Sequence, residues 1–164
     1  MRSLFITSLL TTVVVAHAEP ASDAALATAE HLASAARAAC RALGREVAVA
    51  VVDASGQTLL MSRSASVGPH NLEAARRKAY TALSTRLATL TLGRQVRSQP
   101  DTAALQYLPE LLLLGGGVPW RAAGGDVAGA GGDVAGAVGV AGGGGPENDD
   151  ACARTAVDSL RHHP

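Results

Sequence analysis

The stretch VAVAVVDASGQTLLMSR, residues 47–63, holds two apolar runs on either side of a turn. VAVAVV at 47–52 is continuous, β-rich and apolar, as expected of a central strand covered on both faces. DASG at 53–56 combines the residue types that turn a chain, and QTLLMSR at 57–63 returns as the hairpin partner. Both flanks of this hairpin carry a helical period. Before it, Leu26, Ala29, Ala33, Ala36, Cys40 and Leu43 are spaced three and four apart, which predicts a helix over Ser22–Leu43 with Cys40 facing the core. Glu30, Ser34, Arg37 and Arg41 fall on its opposite face, and Gly44 stops it. After the hairpin, a second helix is expected from Pro69 or His70 through NLEAARRKAYTAL, with Leu72, Ala75, Ala79 and Ala82 inward.

Residues 85–99 carry mixed signals: LATLTL alternates like a strand, RQVRS suits a short helix, and the reading favours helix or irregular structure. PDTAALQYLP at 100–109 predicts a helical turn between prolines, and ELLLL at 110–114 a short buried strand. Further strands are expected from Val118 and within the small, alternating residues 133–141. PENDDACARTAVDSL at 146–160 is a closing helix with acids in its first turn, where the dipole favours them. The order is helix, two strands, helices, two strands, helix, an α+β domain with a mainly antiparallel sheet.

The first eighteen residues stand apart. Arg2, an apolar run too short to span a bilayer comfortably, and the small-x-small AHA at 16–18 predict a secretory signal cut after Ala18; a retained N-terminal anchor is the alternative. Residues 19–164 then form a single domain, secreted or periplasmic, with no membrane span in the mature chain. Of 14 basic and 14 acidic side chains, Arg2 leaves with the signal. The near-neutral remainder has no basic stripe and one lysine, Lys78, which argues against nucleic acid. Cys40 and Cys152, in an exported chain, are either a bridge or two buried free thiols; sequence alone does not separate the two.

VAVVDASGQTLLMSR, GPHNLEAARRKAYTA, LLLLGGGVPW, AGAVGVAGG and DDACARTAVDSL, in this order, resemble the GlcG/HbpS family of haem-binding proteins, which includes the PduO C-terminal-like domains. The resemblance covers about Ala25 to Leu160. It implies a profilin-like or PAS-like antiparallel sheet of about five strands flanked by helices, a homo-oligomer, and a haem ligand, with a cobalamin-type tetrapyrrole or no cofactor as alternatives. Residues 86–97 depart from the family in lacking its arginine-proline pattern.

Haem iron takes His, Met, Cys or Tyr. The mature chain offers His31, His70, His162, His163, Met61, Tyr80 and Tyr107. His162 and His163 stand at the chain end, and His31 sits among alanines on a helix flank, where a packing role is commoner. His70 is the best placed, at a helix start whose free N–H groups suit a haem carboxylate, although it or Asn71 could simply cap the helix. Glu73, Arg76, Arg77 and Lys78 read as a solvated charged face, with two further roles open: a cation pairing with a propionate, and Glu73 helping to bind a surface metal ion. The cofactor-site candidates are therefore His70, Glu73, Arg77 and Lys78, with His70 the candidate metal ligand. No CxxC, HExxH, G-x-S-x-G or P-loop occurs, so no catalytic constellation is recognised. The expected function is an exported haem or tetrapyrrole carrier, buffer or sensor. A haem-degrading or other small-molecule-converting enzyme and a ligand-free oligomerisation module are the alternatives.

GGDVAGAGGDVAGA at 124–137 is one heptad of sequence written twice. Because seven is odd, the copies cannot be interchangeable registers of one buried strand. Residues 133–141 are expected to form the strand and 122–132 an enlarged hairpin loop.

Overall fold

Valine and alanine alternate along residues 47–51, and a strand sends alternate side chains to opposite faces. In a computed structural model, which describes residues 21–121 and 133–162, that alternation sorts the two halves of the core. Val47, Val49 and Val51 pack with Val118, Trp120, Val138 and Val140 under two helices. Ala48 and Ala50 face a third helix on the other side, with Ala75 and Ala141.

The chain runs through α1 (Ala21–Ala42), β1 (Ala48–Asp53), β2 (Thr58–Arg63), α2 (His70–Thr85), α3 (Thr89–Ser98), a 3₁₀ segment (Pro100–Tyr107), β3 (Gly117–Arg121), β4 (Val134–Ala141), α4 (Pro146–Ser159) and a 3₁₀ turn (Leu160–His162). The sheet has the order β2-β1-β4-β3 and is antiparallel throughout. Helices α1 and α4 cover the valine face and α2 the alanine face. Small residues are required on the α2 side because the helix lies almost on the sheet: a Cβ at Gly139 would stand 1.9 Å from Ala75 O.

The expected hairpin, the helices at both ends and the strand in 133–141 are present, and residues 85–99 resolve largely into α3. The sheet has four strands among the described residues, one fewer than the runs read from sequence. ELLLL at 110–114 is not a strand, because side chains take its backbone groups. Arg77 donates to Pro109 O and Leu111 O, Leu112 N–H donates to Thr81 Oγ1, and Thr89 Oγ1 donates to Leu114 O. Fastened in this way, the segment is a strap beside α2 with no ladder partner. On α1, Ala29, Ala33, Ala36 and Cys40 are buried as expected, but Leu26 and Leu43 are exposed towards the helix ends and Leu32 is buried instead. Cys40 and Cys152 form a disulfide, with Cα atoms 5.5 Å apart, that ties α1 to α4 across 112 positions. The expected loop at 122–132 and the signal segment 1–18 lie outside the described residues.

Candidate ligand site around helix α2

Helix α2 starts after Gly68-Pro69, with Pro69 as N-cap and no side-chain cap. Asn71 instead donates its Nδ2 to Gly68 O at 3.2 Å. The backbone N–H groups of Asn71 and Leu72 turn back onto Gly68 O and Pro69 O. Most of the free N–H groups expected here are therefore already used, which weakens the case for a carboxylate on the bare helix end. The His70 side chain is different: it is exposed and makes no hydrogen bond or ion pair among the described residues. Its ring folds against Gly68, where a Cβ would lie 2.9 Å from His70 Cε1.

One turn on, Glu73 takes two hydrogen bonds from Arg76, at 2.9 Å from Nε and 2.8 Å from Nη2, and Arg76 also reaches Glu110 at 3.5 Å. The Arg76 hydrogen bond holds the Glu73 carboxyl below the usual carboxylate range, and the same contact raises Arg76. Arg77 is committed to the strap carbonyls, leaving its buried Nε without a partner among the described residues.

Lys78 is not on the solvated face. It is 1% exposed and donates to Val140 O at 2.9 Å and to Asp149 Oδ2 at 2.7 Å. The spacing Ala75, Lys78, Ala82 puts it on the inward stripe of α2, and Asp149 compensates the buried charge. Burial lowers the Lys78 pKa, against the opposing pull of Asp149. Lys78 is therefore removed from the ligand site, and Arg77 is a strap-holder. His70, Glu73 and Arg76 remain together on the outer surface.

Of the other candidates, His31 is joined to Ser159 on α4 through Nε2 at 2.9 Å, a packing role. Tyr80 lies against Gly56, and Met61 sits half-exposed on edge strand β2. Tyr107, 79% exposed, and Leu108 form an apolar shoulder where the strap begins. His162 closes the last turn, and His163 lies outside the described residues. Asp149 and Glu110 were missed as partners, since each meets α2 from a distant segment, and so was Thr81, which accepts from Leu112 N–H on the strap. Among the described residues no group of three or more His, Cys, Asp or Glu side chains is placed to hold a metal ion, and no helix is long and apolar enough to cross a membrane.

A family model described as "Haem degrading protein HbpS-like" matches residues 25–158. The chain belongs to the HbpS-like family. The crystal structure of HbpS is 32% identical, covering 96% of this chain and 94% of that one, with a TM-score of 0.71. A double mutant of Streptomyces reticuli HbpS is 30% identical over 97% of this chain and 98% of that chain, TM-score 0.71. A complex of PduOC with haem is 26% identical over 81% of this chain and 91% of that chain, TM-score 0.67. Curated protein sequences hold no significant match. The recognition made from ordered motifs and the α+β fold class both stand with these likenesses, and haem binding is the property they point towards.

Proposed function

We propose that this chain is an exported haem-binding protein, a carrier, buffer or sensor, in which His70 supplies the axial ligand. The observation that carries the reading is the His70 imidazole, exposed and without a partner among the described residues at the start of α2, whereas His31 is engaged. Imidazole is a ligand that haem iron takes. Tyr107 and Leu108 are exposed apolar surface where the strap begins, and Arg76, held by Glu73 and Glu110, would have to exchange one of these carboxylates to meet a propionate. Haem bound there would supply redox-active iron, and this chain's part is to hold and orient it. Export is supported by Arg2, the apolar run and AHA at 16–18, and by a disulfide suited to an oxidising compartment. A homo-oligomer, which the family resemblance implies, belongs to the same reading.

Titration of the mature protein with hemin tests the reading. A saturable Soret shift that weakens on His70→Ala is expected, whereas no shift at micromolar hemin removes haem as the ligand. The family description favours a second reading, haem degradation. It requires loss of the Soret band with reductant or peroxide faster than free hemin loses it.

A further inference from the structure

Beside the start of α2 lies a cavity of about 360 Å³, widely open to solvent, that the haem reading does not use. It sits at the lower end of the roughly 300–1,000 Å³ typical of small-molecule sites, and its lining is polar and unsuited to a porphyrin ring. Three segments wall it: the α1–β1 turn with Arg45 and Glu46, the loop and first turn of α2 with Ser66, Gly68 and Asn71, and Gly142 just after β4. Gly142 has φ +99°, and a Cβ there would lie 3.1 Å from Val67 Cγ1 and 3.4 Å from Asn71 Cγ. A larger residue would be strained and would press on the wall.

The polar groups of the cavity are only partly used. Arg45 has no hydrogen bond or ion pair from its guanidinium among the described residues; it lies over Gly144, where a Cβ would be 3.2 Å from Nε. Asn71 gives one amide hydrogen to Gly68 O and has another, with its carbonyl, to spare. Glu46 takes the Ser64 hydroxyl on Oε2, which leaves Oε1 as an acceptor. A planar guanidinium fork matches a carboxylate, and a carboxylate neighbour on the same wall matches an ammonium group and repels a dianion such as phosphate.

We propose that this cavity binds a small zwitterionic amino acid, its carboxylate on Arg45 and the Asn71 amide, its ammonium group on Glu46. Three near-isosteric probes separate the parts: L-alanine, propanoate, which lacks the ammonium group, and ethylamine, which lacks the carboxylate. Followed by amide chemical shifts of the full mature protein, L-alanine should give saturable changes at Gly44, Glu46, Gly68, Asn71 and Gly142, and bind more tightly than either probe. Arg45→Gln should weaken it about tenfold or more, the loss of a charge-assisted hydrogen bond. No saturable change with L-alanine, or changes confined elsewhere, overturns the proposal. Propanoate binding as tightly as L-alanine overturns the zwitterion. Arg45 is exposed, so its replacement should leave the fold intact; if it did not, the wild-type shift map and probe order would still decide. A failed hemin titration leaves all these outcomes unchanged.

Discussion

Lys78 Nζ lies 2.7 Å from Asp149 Oδ2, a buried ion pair that joins α2 to α4, and the same nitrogen donates to Val140 O at the end of β4. The other oxygen of Asp149 accepts the Gly143 N–H at 2.7 Å, so the pair also fixes the glycine loop between β4 and α4. Removing one member leaves the other charge buried and uncompensated, at about 3–5 kcal/mol. Lys78→Met or Asp149→Asn should therefore lower stability by about that amount in denaturant melts. The double replacement Lys78→Met with Asp149→Leu should cost less than the two singles added. Additive costs would show that the two groups do not depend on each other.

The strap at 109–114 is predicted to loosen when its holders are removed. Arg77→Ala deletes the donors to Pro109 O and Leu111 O, and Thr81→Val deletes the acceptor for Leu112 N–H. Each should cost about 1–3 kcal/mol, and amide exchange at 109–114 should speed up before that of the sheet does. Equal acceleration in β1 would mean that the strap is not a separate unit.

The contrast between 47–52 and 110–114 explains what could be read in advance. VAVAVV is apolar throughout and alternates in size over 47–51, and its burial on both faces follows from that local pattern. LLLL at 111–114 is just as apolar, yet the backbone of this segment is held by Arg77, Thr81 and Thr89, residues more than twenty positions away, and no local pattern records them. Lys78 shows the same limit. Its charge placed it on the solvated face in the sequence reading, and the partner that compensates its burial lies 71 positions on. The start of α2 at His70 was readable because a helix start after Gly-Pro is a local signal. The commitments of Arg76 and Arg77 to Glu110, Pro109 and Leu111 were not.

The Cys40–Cys152 disulfide closes a loop of 112 positions between the first and last helices. In the chain-entropy account, a loop near that length constrains the unfolded chain by about 4–5 kcal/mol. Cys40→Ala with Cys152→Ala should lower the melting midpoint accordingly, and denatured, unreduced wild-type protein should show no titratable thiol. Two free thiols would remove the bridge.

A last prediction concerns acid. Asp53 Oδ1, at the end of β1, accepts the Ser55 hydroxyl at 2.7 Å and the N–H groups of Ser55 and Gln57 at 2.8 and 2.9 Å. The Ser55 hydroxyl is the largest cause holding this carboxyl below its ordinary value of 3.8, and the backbone donors add to it. A folded-state pKa below the unfolded one means that the unfolded chain binds the proton more tightly, so the contribution is fully present above the unfolded value and is lost as pH falls through the folded one. Asp53→Asn keeps an oxygen for the turn but removes the charge. The stability difference between wild type and Asp53→Asn should therefore be constant near neutrality and shrink as pH falls below about 3.8, measured by urea melts across the acid range. A difference that stayed constant to the acid limit would mean that the turn depends on the shape of the side chain alone and not on its charge.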